Sequence, residues 1–373
     1  MVASSILFAN PKIAEEIIKM GGKSLLECYQ CGSCTAVCPI TESIDVSFRR
    51  AIRYTQIGLN EKILGDVTPW TCNLHGDCTD SCPRGASPSE VLAAIRRYQS
   101  GFFDPFGVSR WWNKTKLFEK LILYFVVFVI SLSFYYFYYW NSLTGYISTE
   151  FFAVKDLSYP IAFSALFASL ILFLSAKRAY RAFGGGKDYK VGFLSSIIKL
   201  TKFFIEVEKD ALKVPEKRDR IIEHVFILLG LGFYTLILLF YLFSPSYFFI
   251  YPYGMILKFL GYFAAISLLY GFSSPLMKRL FARQKTHWYY KKFTHSTDWM
   301  SLIAFFPVAL LYLAILILND ISYYYLSYIL YIVVLSLIVP ILLLEVPFGK
   351  HNHWLYKVLA YYIAARKGFF KEG

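Results

Sequence analysis

The chain has 373 residues, of which 57% are hydrophobic and 17% are charged, and its formal net charge is +14. This composition excludes a disordered chain and departs from that of soluble domains, in which about 25% of residues are charged. Because the apolar residues are concentrated after residue 108, we expect a water-exposed N-terminal domain at 1–108 and a membrane domain at 109–373.

The N-terminal domain is predicted to contain short helices between cysteine-rich loops. Apolar residues recur at helical spacing over 13–20, 46–64 and 88–98, and no strand pattern of useful length occurs. All seven cysteines lie between Cys28 and Cys82. An odd number of cysteines without a signal-peptide pattern does not fit a secreted disulfide framework, so we expect this domain to stay in the reducing cytoplasm.

The first cysteine motif has the spacing Cys-x2-Cys-x2-Cys-x3-Cys-Pro and consists of Cys28, Cys31, Cys34, Cys38 and Pro39. This is the spacing of bacterial ferredoxins, in which three cysteines bind one cubane cluster and the fourth binds a second cluster. Structural zinc sites instead group their ligands in two separated pairs. The motif therefore predicts iron–sulfur clusters rather than zinc.

The second motif repeats this spacing with a histidine in place of one cysteine and consists of Cys72, His75, Cys78, Cys82 and Pro83. Because the fourth cysteine of each motif binds the other cluster, the two motifs predict two ligand sets. The sets are Cys28, Cys31, Cys34 and Cys82 for a [4Fe-4S] cluster, and Cys38, Cys72, His75 and Cys78 for the second cluster.

His75 leaves the nature of the second cluster open. An imidazole ligand removes negative charge and raises the reduction potential, as in Rieske centres, so a [4Fe-4S] cluster bound by His75 would be the easier one to reduce. One alternative is a [3Fe-4S] cluster with no fourth protein ligand. The other is a site closed by Asp77 or by a water molecule.

Six apolar runs have about the length that crosses the hydrocarbon core as a helix. They cover 118–140, 157–176, 221–243, 249–272, 297–318 and 322–346. Residues 191–211 predict an amphipathic helix on the inner membrane surface. The expected fold class is all-α, with a helical dicluster ferredoxin domain followed by a six-helix transmembrane bundle.

The basic residues predict the orientation of these spans. On one side of the membrane 29 Lys and Arg flank the spans, whereas Lys155 stands alone on the other. Cytoplasmic flanks carry the excess of positive charge, so we expect a multi-pass plasma-membrane protein whose iron–sulfur domain and both termini are cytoplasmic. Topology and attraction to anionic lipid account for the +14 charge, and no nucleic-acid partner is expected.

Ionisable residues near the spans are candidate functional groups. His224 lies early in the third span and His353 follows the last, an arrangement in which imidazoles from two helices can bind a b-type haem. The alternative is that both are interfacial, as we expect for the solvated His287 and His295. Glu345 either pairs with a basic residue of the tail or lies in a proton or quinone path.

The two cysteine motifs resemble those of the iron–sulfur C subunit of heterodisulfide reductases over about residues 10–105. The chain from about residue 109 resembles a cytochrome b subunit that two enzymes share, the E subunit of membrane-bound heterodisulfide reductase and the gamma subunit of respiratory nitrate reductase. The resemblance implies a quinone-linked cytochrome b domain attached to a dicluster ferredoxin domain.

The resemblance also implies specific haem-binding residues. The first ligand lies in a segment similar to Arg220–His224, and its partner lies in a turn matched here by Pro347, Phe348, Lys350 and His353. Axial ligation by His224 and His353 is therefore expected, with Arg220 and Lys350 among the residues that bind the cofactor.

The sequence departs from the nitrate reductase pattern at the positions of a second haem. Where that family has two further histidines, this chain has Tyr234 and Leu335. One haem near the inner face is thus the expectation. The quinone site of the family lies near its haems, so its position in this chain is left open.

These features predict an electron-transfer subunit of a membrane-bound respiratory oxidoreductase. Its expected partner is a catalytic subunit with paired cysteine-rich motifs, or another redox subunit, because no two cysteines are adjacent in this chain. One alternative is a haem-free iron–sulfur anchor that reacts directly with a quinone-like carrier. The other, from a different class, is a metal-sensing membrane signalling or transport protein.

Overall fold

The computed structural model describes residues 8–143, 158–243, 253–281 and 295–371. His287 and the predicted start of the fourth span at 249–252 lie outside the described residues. Within these ranges the fold is all-α, as predicted, and its only extended pairing is one antiparallel bridge between Ile44 and Phe370.

The helices of the N-terminal domain are α1 (Lys12–Lys19), α2 (Ser33–Ala36), α3 (Ile40–Ser43), α4 (Phe48–Ile57), α5 (Asn60–Gly65), α6 (Thr68–Thr71), α7 (Asp77–Asp80), α8 (Pro88–Phe103) and α9 (Val108–Lys114). Those that follow are α10 (Leu117–Leu143), α11 (Ser158–Ala182), α12 (Phe193–Leu212), α13 (Pro215–Phe243), α14 (Tyr253–Leu280), α15 (Ser296–Asp320), α16 (Tyr324–Pro340), α17 (Val346–Phe348) and α18 (His353–Arg366).

The single helix predicted over 46–64 is two helices, α4 and α5, because Gly58 ends the first. Ser47 caps the start of α4 by accepting a hydrogen bond from the Arg50 amide. Gly58 has a φ of 76° and forms the left-handed C-cap, and a Cβ there would collide with the backbone of Asn10. The helical periodicity does not reveal this break.

Six helices of the described chain are long and apolar enough to cross a membrane, which confirms the predicted number and makes this a multi-pass membrane protein. The stretches are Leu117–Phe137, Pro160–Ala182, Lys217–Ile237, Gly254–Leu280, Ser296–Asp320 and Tyr324–Phe348. The last one changes from α- to π-helix over Ile341–Glu345, immediately after Pro340. A π-turn widens a helix locally and frequently marks a functional site.

The N-terminal domain packs against one end of the bundle. Arg178 near the end of α11 donates a hydrogen bond of 3.1 Å to the Asp104 carbonyl oxygen. Asp298 at the start of α15 forms an ion pair of 3.0 Å with Arg97 of α8. Both contacts join residues on opposite sides of position 108, the expected domain boundary.

One apolar core spans that boundary. The ring of Trp70 packs on Tyr356 of α18 with a centroid distance of 5.1 Å, and Phe103 packs on Phe183 at 5.2 Å. The two regions are therefore joined by buried aromatic contacts as well as by polar ones.

Helix α12 and the C-terminal tail complete this core. Phe203 of α12 is buried, whereas Leu194 and Ile198 are exposed, as expected of a helix with one membrane-facing side. The Asp45 amide donates to the Phe369 carbonyl oxygen at 2.7 Å, and Phe370 packs edge-on against Phe203 at 5.1 Å. The tail is thus part of the iron–sulfur domain's packing.

The variant Phe370→Ala tests this role of the tail. Phe370 is 8% exposed, so truncation removes a buried ring and should lower the free energy of unfolding by about 3 kcal/mol. Phe8→Ala is the matched control, because Phe8 is 81% exposed and its loss should change stability by less than about 0.5 kcal/mol. Thermal unfolding in detergent measures both; equal melting temperatures would show that the tail does not stabilise the core.

Candidate electron-transfer site

The second cysteine motif repeats the backbone conformation of the first. In both motifs the third residue has a positive φ, 63° at Gln30 and 54° at Leu74. The fifth residue is a left-handed glycine that begins a short helix, with φ of 92° at Gly32 and 95° at Gly76. His75 therefore occupies the position that corresponds to a cysteine ligand of the first motif.

The first three cysteines of the first motif lie close enough to interact. Burial raises the pKa of the Cys34 thiol, and the neighbouring Cys28 and Cys31 add to the shift. Cys31 is exposed and Cys28 is half-buried, so this group lies at the surface of the domain. These are three of the four residues predicted for the first cluster.

The cysteines predicted for the second cluster form a deeper group. Burial raises the pKa of Cys38 to about 12, and the nearby Cys72 adds to the shift. Burial also raises the pKa of Cys78, again with contributions from Cys72 and Cys38. The fourth cysteine of the first motif thus lies with the second motif, as the exchange rule predicts.

The fourth ligand predicted for the first cluster is Cys82, which follows α7 and is half-buried. Its place in that cluster stays a prediction from the motif. In the described part of the chain no three His, Cys, Asp or Glu side chains surround a single metal ion. The ligand assignment therefore rests on the spacing, the backbone repeat and the grouping of the thiols.

His75 is held in its neutral form. Burial lowers the pKa of His75 to about 3, and the positive charges of Arg220 and Lys217 act in the same direction. A neutral imidazole is the form that binds a metal. The residue is therefore in the protonation state that a cluster ligand requires.

The second cysteine loop is attached to helix α13. Lys217 forms an ion pair of 2.8 Å with Asp77 of the loop. Arg220, one turn further along α13, donates a hydrogen bond of 2.8 Å to the Leu74 carbonyl oxygen. Both contacts fall within the loop that surrounds His75.

The same loop is attached to helix α18. Lys357 donates to the Asn73 side-chain oxygen at 2.6 Å, and the Tyr361 hydroxyl donates to the Thr71 carbonyl oxygen at 2.7 Å. Sequence analysis missed these contacts, because Lys217 and Lys357 entered it only as basic flanks of the spans.

The two candidate haem ligands lie on these same helices. The Nδ1 atom of His224 lies 2.7 Å from the Arg220 carbonyl oxygen, and that of His353 lies 2.7 Å from the Lys350 carbonyl oxygen. Since a carbonyl oxygen only accepts, each Nδ1 carries the proton and each Nε2 keeps its lone pair. Metal-binding histidines are typically oriented in this way.

Each candidate ligand is one turn from a contact with the cysteine loop. His224 follows Arg220 by four residues on α13, and His353 precedes Lys357 by four residues on α18, a rise of about 6 Å in each case. Burial lowers the pKa of His353 well below its usual value, and nearby His224 contributes to the shift. The structure thus brings the two histidines into one region beside the second loop.

A buried carboxylate organises the turn that carries His353. Glu345, in the π-turn, accepts hydrogen bonds from the Ser301 hydroxyl at 2.9 Å and from the Lys350 amide at 3.3 Å. A Cβ on Gly349 would come within 2.5 Å of the Glu345 carboxylate oxygens. Glu345 is therefore not ion-paired with a tail residue, the structural role expected for it, but supports the backbone before His353.

The two basic residues expected to contact the haem have other partners. Arg220 binds the cysteine loop, as described above, and the Lys350 ammonium lies 2.7 Å from Asp298. His295 also differs from its expected solvated state. It is half-buried and caps α15, with its Nδ1 atom 2.8 Å from the Thr297 hydroxyl.

Aromatic and aliphatic packing occupies the positions at which the nitrate reductase pattern has a second histidine pair. The Tyr234 ring packs edge-on against Tyr312 at a centroid distance of 5.3 Å. Leu335 is buried in an apolar cluster with Tyr135 and Val339. A single haem stays the prediction for this domain.

Comparison with known proteins identifies the N-terminal region. Residues 24–86 match the family model of a 4Fe-4S dicluster domain. This segment contains both cysteine motifs, so the two iron–sulfur sites agree with the predicted ligand spacing.

Several curated proteins are similar over the same region. A protein of Archaeoglobus profundus, described as like the C subunit of heterodisulfide reductase, is 38% identical over 87 residues, which is 23% of this chain and 46% of the relative. The C subunit of the H(2):CoB-CoM heterodisulfide,ferredoxin reductase of Methanothermobacter marburgensis is 34% identical over 96 residues, 25% of this chain and 52% of the relative. The chain thus spans about half the length of the curated relatives it matches.

The variant His75→Cys tests whether this residue is a cluster ligand. A thiolate adds negative charge to the cluster, so the reduction potential of one cluster should fall while the other stays unchanged. Asp77→Asn is a useful second variant, because Asp77 is the other side chain that could close the site. Redox titration followed by electron paramagnetic resonance measures both; an unchanged potential in His75→Cys would exclude His75 as a ligand.

Proposed function

We propose that this chain is a membrane-bound electron-transfer subunit of a heterodisulfide reductase-like respiratory oxidoreductase. It passes electrons between a catalytic partner, two iron–sulfur clusters, a b-type haem and the quinone pool. The observation that carries the proposal is the attachment of the second cysteine loop to α13 and α18, each one turn from a candidate haem ligand.

The described residues fit a haem with two histidine ligands. His224 and His353 have their Nδ1 atoms bonded to backbone carbonyl oxygens, and the described residues offer neither Nε2 atom a hydrogen-bond partner. A b-type haem bound by these imidazoles would carry single electrons. Arg220 connects the two sites, because its side chain binds the cysteine loop and its carbonyl oxygen binds His224.

The electron path has an exposed end and a buried end. The group containing Cys31 lies at the surface, where a partner protein can approach it, and the group containing Cys78 lies against the membrane helices. A redox partner therefore donates to or accepts from the first cluster, and the quinone-like carrier reacts from the membrane side. The expected orientation places the iron–sulfur domain and both termini in the cytoplasm.

The catalytic chemistry belongs to another polypeptide. The relatives named above are C subunits of heterodisulfide reductases, and a subunit so named implies further subunits in a complex. This chain contains no adjacent cysteine pair of the kind expected in the catalytic partner. The chain is accordingly an electron carrier and membrane anchor for that partner, with 1–108 as the cluster domain and 109–373 as the cytochrome b domain.

Histidine substitutions test the haem assignment. Replacing His224 or His353 with Ala should remove the b-type haem and leave the iron–sulfur signals in place, because each removes one axial ligand. His351→Ala is the matched control: His351 is two residues from His353, and its ring packs against Phe305 at 4.6 Å. Haem spectra and iron content of the purified variants decide. Haem retained in both ligand variants, or lost only with His351, would contradict the assignment.

A glycine substitution tests the turn that positions His353. Gly349→Ala places a Cβ against the Glu345 carboxylate, displaces the turn, and should weaken haem retention by about tenfold, a typical cost of disturbing the support of a metal ligand. Gly192→Ala is the control, because a Cβ there meets nothing within 4 Å. Haem loss during dilution measures both. Equal retention would show that the contact between Gly349 and Glu345 does not position His353.

A further inference from the structure

A second feature, separate from the electron path, lies where the N-terminal domain meets the membrane helices. A cleft of about 420 Å³ opens between α1, α8 and the first turns of α10 and α15. Leu117 and Ser296, which begin those two spans, are among its lining residues. The cleft therefore lies at the level of the membrane surface, on the side of the bundle that carries the iron–sulfur domain.

The cleft concentrates positive charge. Lys19, Lys23 and Lys116 line it, are exposed, and have no ion-pair partner in the described part of the chain. Glu90 is the one carboxylate of the lining, and it is not ion-paired with any of these three lysines. Three unpaired ammonium groups in one cleft favour an anionic ligand.

Two further cations of the lining already have carboxylate partners. Lys114 pairs with Glu16 at 2.7 Å, and Arg97 pairs with Asp298 as described above. These two residues belong to the contacts that hold the domain on the bundle. The charge available to a ligand therefore comes from the three exposed lysines.

The remaining walls are apolar and aromatic. Ile18, Leu117 and Trp299 line the cleft beside the lysines. Trp111 and Phe118, on either side of the start of α10, are 53% and 72% exposed. Large aromatic side chains at the ends of spans are typical of the interface between lipid headgroups and acyl chains. The ligand should therefore have an anionic part and an apolar part.

We propose that this cleft binds the headgroup of an anionic phospholipid. The phosphate would lie among Lys19, Lys23 and Lys116, and the glycerol and first acyl carbons would lie along Leu117 and Trp299. The volume is within the range of roughly 300–1,000 Å³ found for specific ligand sites and exceeds what a free phosphate ion fills. Basic pockets at the ends of spans bind anionic headgroups in this manner.

The position of the lysines gives this lipid a structural role. Lys19 and Lys23 belong to the N-terminal domain, whereas Lys116 directly precedes the first span. A phosphate bound by all three would bridge the two regions of the chain. Bound lipid should thus stabilise the attachment of the iron–sulfur domain to the bundle, whatever redox function the chain performs.

The experiment uses the purified full chain in a neutral detergent. Native mass spectrometry measures bound lipid during titration with phosphatidylglycerol, with phosphatidylcholine, and with inorganic phosphate as competitor. We expect one tightly bound phosphatidylglycerol, weak binding of phosphatidylcholine, and no displacement by millimolar phosphate. Neutralising Lys19, Lys23 and Lys116 together as Gln should weaken phosphatidylglycerol binding roughly a hundredfold, about fivefold for each charge.

The matched control removes the same charge elsewhere. Lys12, Lys62 and Lys187 are exposed and lie outside the cleft, so their joint replacement with Gln should leave lipid binding unchanged. Iron content and the melting temperature without lipid show that each variant is folded. Equal binding of phosphatidylglycerol by the cleft variant would overturn the proposal. Displacement of the lipid by low phosphate concentrations would also overturn it and would identify a free-phosphate site instead.

Discussion

The account depends on one contact region, in which the loop around His75 is attached to two membrane helices. Lys217 and Arg220 bind the loop from α13, and Lys357 and Tyr361 bind it from α18. Each such hydrogen bond contributes only about 0.5–1.5 kcal/mol, so no single contact fixes the arrangement. Together with the aromatic core beneath them, they hold a redox-active loop beside the membrane helices.

The membrane domain uses buried polar groups for positioning. Glu345 lies in a π-turn within the last span, where an ionisable group is costly unless it is used. Its hydrogen bonds to Ser301 and to the Lys350 amide connect α15 to the turn before His353. The same arrangement explains why residue 349 is glycine. In this domain the position of a candidate ligand is determined by polar contacts that also satisfy buried groups.

The spacing of chemical groups could be predicted from the sequence, and their spatial partners could not. Cysteine spacing predicted a repeated loop, and run lengths predicted six spans, because both depend on local order along the chain. The break at Gly58 was missed because helical periodicity continues across it. Lys217 contacts Asp77 from 140 residues away, and Tyr361 contacts Thr71 from 290 residues away, so neither contact leaves a local pattern.

The most direct test of the electron path is an anaerobic oxidised-minus-reduced optical spectrum of the purified protein, with haem and non-haem iron quantified on the same sample. The account predicts a b-type haem signal of about one per chain, together with non-haem iron for two clusters. Iron without haem would contradict it. In that case His224 and His353 would be interfacial residues, and the quinone-like carrier would have to exchange electrons with the clusters directly.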